Sequence, residues 1–345
     1  MEKVTRVGID LAKKVFNVTA VDMDGAVLER KRLRRAGLQS YLARLPRGCT
    51  VAMEACGGAH HWGRLAARYG HRVSMMSPQF VAPYVKSNRN DVNDADAIAE
   101  ASARPSMRFV GVKSVDQQHI QQLHRARQLA VRTRTAQINQ IHGILLEYGI
   151  AAPKGAGALL RRLAEVLEDV ENELPMHGRG LLRELGDEVR RQNERVGLFE
   201  RQLRGAAQQM PACQRLMRVP GIGMLTATAL VASVGDAAEF RNGRQLAAWL
   251  GIVPRQSSTG GRSRLLGISK RGDRYLRFLL IHGARSALRT ASRRSDRRSG
   301  WAVELEKRRG TNIAAVALAN KNARTAWAVL PREASFDADH LPKAS

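Results

Sequence analysis

The chain has 345 residues, enough for two or three domains, and 44% of them are hydrophobic, which excludes an intrinsically disordered tail. Lys and Arg number 57 against 31 Asp and Glu, a formal net charge of +26 that points to a polyanionic partner, with nucleic acid the default. Aromatics make up only 5%, which argues against base stacking as the main binding device, and no stretch approaches the ~18 apolar residues of a membrane span.

Residues 4–9 read as a short strand ending in Asp10, and residues 15–21 as a second with β-branched alternation. Asp22-Met23-Asp24-Gly25 is a turn, after which residues 26–28 start a third strand, so the chain opens as an antiparallel meander whose first strand carries a carboxylate. Residues 37–45 can form a small helix. Thr50-Val51-Ala52-Met53 is apolar and short enough for a buried strand, and it ends in Glu54 just before Gly57-Gly58. Trp62, Leu65, Ala66 and Tyr69 give a helix stopped by Gly70, and residues 72–76 give the next strand. His60 and His61 lie close to Glu54, but a pair on the first turn of a helix is more often a cap or surface feature and is left out of the site. Cys49, Cys56 and Cys213 show no C-x-x-C spacing, so neither a disulfide framework nor a zinc site is written here, and a reducing cytoplasm is the expected compartment.

Asn90-Asp91-Val92-Asn93-Asp94-Ala95-Asp96 is an acidic patch in a very basic chain. Ala95, Ala97, Ile98 and Ala101 make it the start of a helix, which puts Asp91 and Asp94 on one face and Asp96 on another. Asp and Asn at a helix start also serve as caps, which is the alternative reading of this patch. The element order of residues 1–113 is that of an RNase H-like domain, in which the ends of the first and fourth strands and a late helix converge. Asp10, Glu54, Asp91 and Asp94 would meet there. Four carboxylates raise one another's pKa, and Mg²⁺ with hard oxygen ligands is the charge that would let them ionise together.

From residue 115 to 149 a long helix is expected, with Ile120, Leu123, Ala126, Ala130, Ile141, Leu145 and Tyr148 separated by steps of three and four or their combinations. After the break at residues 151–157, Leu160, Leu163, Leu167, Val170 and Leu174 make a second helix, and Leu182 to Leu203 a third. This segment, 114–209, reads as a coiled-coil helical insert and a dimerisation candidate.

Residues 210–330 form a last, helical domain. Leu216 to Ala227 is a helix, a Gly turn and a second helix, a helix-hairpin-helix signature in which Pro220, Gly221 and Gly223 would let a phosphate approach backbone N–H groups. Residues 241–309 carry 18 Lys or Arg against 4 acids. In that segment Ser257, Ser258 and Thr259 precede Gly260-Gly261 in a loop flanked by Arg255, Arg262 and Arg264, with Lys270, Arg271 and Arg274 further on. Such a loop could bind phosphate passively, or one hydroxyl could attack it while the arginines stabilise charge. The tail, 331–345, lacks a core pattern and is expected to be loosely ordered.

Across residues 4–330 the chain resembles the IS110 and IS1111 transposases, the DEDD class of insertion-sequence recombinases. The matching pieces are Gly8-Ile9-Asp10, Met53-Glu54-Ala55-Cys56-Gly57-Gly58, Asn90-Asp91-Val92-Asn93-Asp94-Ala95, Pro220-Gly221-Ile222-Gly223, and Ser258-Thr259-Gly260-Gly261 through Ser269-Lys270-Arg271-Gly272. The resemblance implies a RuvC-like catalytic domain whose four carboxylates bind Mg²⁺ and a C-terminal serine that links covalently to DNA. That role is carried onto Ser258 by its offset from Pro254 and the Gly pair. It further implies element ends and target as DNA partners, a structured guide RNA from the element, and a homo-oligomer, dimer or tetramer. Two other readings are a junction nuclease using water, which would not need the C-terminal hydroxyls, and a non-catalytic binder, which would tolerate loss of all four acids.

Overall fold

The computed structural model describes residues 3–86, 91–235, 237–331 and 336–337, with the side chains of Asp91 and Val92 outside the described set. The chain divides into two compact units, Met1–Val115 and Asp116–Ser345.

The first unit is built on one sheet. In chain order it contains β1 (Arg6–Asp10), β2 (Val15–Val21), β3 (Val27–Arg34), α1 (Arg35–Arg44), β4 (Thr50–Glu54), α2 (Ala59–Arg68), β5 (Arg72–Met76), the short α3 (Pro78–Val81), α4 (Asp91–Ala101) and β6 (Phe109–Val110). The sheet order is β3-β2-β1-β4-β5-β6. β1 pairs antiparallel with β2 and parallel with β4, and β4 is parallel to β5. Side chains alternate across the sheet, so the two faces have separate cores. Val7, Ile9, Val51 and Met53 join Leu38, Tyr41 and Leu42 of α1 and Trp62 and Ala66 of α2. Burying a side chain such as Leu42 contributes about 1.5–3 kcal/mol. On the opposite face Ala52 and Met76 pack with Val81 and with Ala97, Ile98 and Ala101 of α4. The third strand, expected to start at residues 26–28, runs eight residues; its charged stretch Glu29-Arg30-Lys31-Arg32 stands on an edge strand, where charge guards against further pairing.

The second unit is mostly helical. It contains α5 (Val115–Glu147), α6 (Ala156–Glu168), α7 (Met176–Gln209), α8 (Pro211–Met217), α9 (Met224–Val234), α10 (Gly243–Trp249), β7 (Pro254–Thr259), β8 (Arg262–Ile268), α11 (Arg274–Arg289), α12 (Arg297–Arg309) and α13 (Thr311–Val329). α5 and α7 run antiparallel, joined by the hydrogen bonds Arg127 Nε to Glu200 Oε1 at 2.8 Å and Arg134 Nη1 to Asn193 Oδ1 at 2.8 Å. Ile141, Leu145, Leu163, Leu182 and Val189 bury one another in a single core. These members of the apolar stripe expected as a dimerisation seam are therefore core within the chain. α6 also ends earlier than expected: Val170, read as part of the stripe, is 84% exposed, while Leu174 is buried after the chain has turned.

One further expectation needs correction. The stretch read as a loop at residues 254–268 is a β-hairpin, so the C-terminal domain is not purely helical. Gly260 and Gly261 have φ of +56° and +76°, as a two-residue turn matching the strand twist requires. Most of the tail expected to be loose, residues 332–335 and 338–345, lies outside the described set; within it, Phe336 packs against the C-terminal core. Among the described residues no helix is long and apolar enough to cross a membrane.

Candidate active site

The parallel register pairs Gly8 with Ala52 and Ile9 with Met53, so Asp10 and Glu54 follow side by side at the ends of neighbouring strands. By the same alternation Asp10 shares the face of Gly8, and Glu54 that of Ala52, which is the face covered by α4. Gly8 is what lets α4 come so close: a Cβ there would lie 2.6 Å from the Ala99 amide nitrogen and closer still to the Ala95 carbonyl oxygen. On α4, Asp94 precedes Ile98 and Ala101 by four and seven residues, so it shares their sheet-facing side. Asp91 opens the same helix; its side chain, like all of Asn90, lies outside the described residues.

Asp96 points elsewhere, toward β2 and β3, as its different place on the helix predicts. Its carboxylate accepts the Thr19 hydroxyl at 2.7 Å and Arg30 Nη2 at 2.9 Å, bracing α4 against β2 and β3. Burial raises its pKa, but the hydrogen bonds from Arg30 and Thr19 together outweigh that and leave it lowered.

The field at the two strand ends is negative. The thiol of Cys56 is pushed up by partial burial, then by the carboxylates of Glu54 and Asp10. Among the described residues no three His, Cys, Asp or Glu side chains are gathered so as to hold a metal. In kind, however, the donors fit a hard divalent cation, being carboxylate oxygens alone. His60 has a structural task, its Nδ1 accepting the Lys113 amide at 3.2 Å.

In the second unit the hairpin sorts its side chains by face. Ser257 pairs with Arg264 and Thr259 with Arg262, whereas Ser258 pairs with Ser263. Alternation therefore sets Ser257 and Thr259 beside the two arginines and Ser258 on the opposite, uncharged face with Gln256. Gln256 Nε2 donates to Ser258 Oγ at 3.0 Å. All of these residues are exposed, Arg255 among them. At the base of the hairpin Lys270 N donates to Gly251 O at 3.0 Å and Ser269 N to Val253 O at 2.8 Å, tying both chain segments together. Lys270, Arg271 and Arg274 are exposed beyond that tie.

Pro220 and Gly221 are placed differently from the phosphate-binding expectation. The Pro220 carbonyl accepts Asn322 Nδ2 at 3.1 Å, and a Cβ on Gly221 would lie 2.8 Å from the Gly283 carbonyl oxygen. The bare backbone of Gly221 thus serves helix packing. Gly223, exposed and with open space around it, caps the N-terminus of α9 and keeps the room a phosphate would need.

Residues 213–299 match the family profile described as "Transposase IS116/IS110/IS902 family", and residues 7–150 match a second profile, of the DEDD IS110 type, described as "Transposase". A "Probable family 20 transposase" of Pseudomonas aeruginosa is 50% identical over 96% of this chain and 98% of its own. The "Transposase for insertion sequence element IS1111A" of Coxiella burnetii is 46% identical over 97% of this chain and 92% of its own. The "Transposase for insertion sequence element IS1328" of Yersinia enterocolitica is 44% identical, over 97% and 99% respectively.

Proposed function

The chain belongs to the IS110/IS1111 transposase family and is a DNA recombinase, and from that premise we propose that it cuts and rejoins DNA with a composite site of four carboxylates and a serine. The first unit is a RuvC-like, RNase H-like domain. The single observation that carries this reading is the pairing of Asp10 and Glu54 at the ends of adjacent parallel strands, on the face covered by the helix that bears Asp91 and Asp94. Those four residues would hold Mg²⁺. Bound there, Mg²⁺ supplies Lewis acidity toward a phosphodiester.

Ser258 is the nucleophile. Its Oγ forms a bond to phosphorus as the bond from phosphorus to the departing sugar oxygen breaks; the serine gives up its proton and the leaving oxygen gains one. Attack by a second sugar hydroxyl reverses the step and rejoins the strand, so the phosphodiester count is conserved. A serine hydroxyl is weak at neutral pH and needs help to lose its proton. The segment 254–268 contains no acid or histidine, and Gln256 donates to Ser258 and cannot take its proton. The proton must go to a group outside the hairpin, which supports an assembly that brings carboxylates of the first unit, from the same or another subunit, to the serine.

The rest of the basic chain serves the nucleic acid. The arginine-bearing face of the hairpin and the open helix-hairpin-helix turn at Gly223 grip phosphates, and DNA is chosen through a structured RNA of the element. The excess of cations over residues 241–309 supports the phosphate contacts, and the RNA rests on the family resemblance. The test is cleavage of element-end DNA in Mg²⁺ by Asp10→Asn, Glu54→Gln, Asp91→Asn and Asp94→Asn. Each is expected to fold and bind nucleic acid while losing cleavage. A variant that cleaves like the parent removes that residue from the site.

A further inference from the structure

The second unit buries an arginine that it does not satisfy. Arg298, the second residue of α12, is 5% exposed. Its Nε and Nη2 have no hydrogen-bond partner among the described residues, and its Nη1 reaches only Thr325 Oγ1 at 3.4 Å. The guanidinium lies 5.3 Å from the centre of the Phe336 ring. A guanidinium carries five donors, and leaving them unmatched in the interior is costly. The neighbouring carboxylate, Asp296, is engaged elsewhere: it caps α12 by accepting the Ser299 amide at 2.9 Å and the Ser299 hydroxyl at 2.8 Å. Burial accordingly pushes the Arg298 pKa down to about 10, with Asp296 opposing it.

More cations converge on the same place. Lys321 of α13 is held below the usual lysine range by burial, then by the charges of Arg298, Arg324 and Arg297, with Asp296 pulling the other way. Its ammonium lies 4.5 Å from the centre of the Trp301 ring. Arg297 and Arg324 are exposed at the surface. Arg298 Nη1 meets Thr325 one turn beyond Lys321 on α13, so Lys321 sits where burial and neighbouring arginines disfavour its charge, an arrangement that an anion would relieve.

We infer that Arg297, Arg298, Lys321 and Arg324 form a phosphate pocket, built from α12 and α13 and not from the hairpin, that takes a backbone phosphate of nucleic acid. Arg298 is the buried donor; Arg297 and Arg324 form the rim. The planar guanidinium suits two phosphate oxygens at once. The proposal stands on the buried, unsatisfied guanidinium of Arg298 and its seat against α13, and only the source of the phosphate rests on the function proposed above.

Two measurements on the full chain test it. Inorganic phosphate, compared with chloride at equal ionic strength, is expected to raise the melting temperature, as any ligand of the native state does. That rise is lost in Lys321→Gln/Arg324→Gln, which changes only partly or fully exposed positions. Arg298→Met is expected to melt at or above the parent in chloride, because it removes an unsatisfied buried charge, and to ignore phosphate. An arginine with a purely structural role would instead lower the melting temperature when replaced, which would overturn the assignment, as would a parent that does not respond to phosphate. In the second measurement, binding to single-stranded DNA, duplex DNA and single-stranded RNA is followed against salt. The double variant is expected to lower the log–log slope by roughly 1 to 2 for the nucleic acid that the pocket holds. A phosphate response with all three slopes unchanged would make free phosphate the ligand and overturn the backbone assignment. Loss of strand cleavage by the carboxylate variants does not bear on either readout, so the two proposals fail separately.

Discussion

Gly8 and Ala95 touch backbone to backbone, leaving no room for a side chain between β1 and α4. This contact sets the height of α4 above the strand that ends in Asp10, and Asp94 is the residue just before Ala95. The geometry of the carboxylates thus depends on a hydrogen atom at position 8.

Gly8→Ala is therefore expected to push α4 off the sheet. Overpacking of this kind costs typically about 1–3 kcal/mol, and a backbone neighbour cannot yield as a side-chain tip can. Thermal unfolding should show a lower midpoint, and cleavage should fall further than nucleic-acid binding. A variant with the parent's midpoint and activity would show that α4 does not depend on this contact.

Asp96→Asn tests the brace on the other side of the same helix. The Arg30–Asp96 pair is partly exposed, with side chains 49% and 33% accessible, so after solvent screening the loss should be under about 1 kcal/mol. Because the folded pKa of Asp96 is lowered, its contribution is complete above the ordinary aspartate value of about 3.9 and disappears as pH falls through the folded value. Denaturant midpoints should separate parent and variant at neutral pH and converge in acid. Asp94→Asn, by contrast, should leave stability nearly untouched and remove cleavage.

Much of this was legible in the sequence, and the exceptions have physical causes. Strands at Val15–Val21 and Arg72–Met76 followed their alternation, and Asp96 was separable from Asp91 and Asp94 by helical spacing alone. The start of the edge strand β3 was legible but its end was not, because its charged residues look like a solvated turn. The hairpin was missed because nothing in Pro254–Thr259 alternates apolar with polar; its signal was the Gly260-Gly261 pair, which a two-residue turn favours. The faces of that hairpin, which separate Ser258 from the arginines, follow only once the register is known. The burial of Arg298 was beyond sequence reasoning, since an arginine in a run of arginines carries no mark of where it will be packed.

His124 gives the second unit an acid sensitivity. It is 4% exposed on α5 and lies 3.0 Å from both Tyr275 Oη and Thr228 Oγ1. Since the Thr228 hydroxyl donates to the Met224 carbonyl, it accepts from His124 Nε2, and Nδ1 accepts from Tyr275. This holds the ring neutral, and burial, with the charge of Arg127 adding to it, pushes the pKa down to about 4. The stabilising effect is full above the ordinary value near 6.5 and is lost as pH falls toward 4, amounting to about 3 kcal/mol. His124→Gln should flatten the fall in stability over that range. An unchanged pH profile would assign the acid sensitivity to other groups.

The most direct test of the account is whether DNA becomes covalently attached to Ser258. Labelled element-end DNA incubated with the protein, the proposed element RNA and Mg²⁺ should yield a protein-linked species on denaturing gels, and peptide mapping should place the link on Ser258. The species should persist in Ser257→Ala, whose hydroxyl stands on the arginine face, and vanish in Ser258→Ala without loss of nucleic-acid binding. Cleavage with no covalent species in any variant, or a link that maps to Ser257 or Thr259, would contradict the assignment of Ser258 as nucleophile.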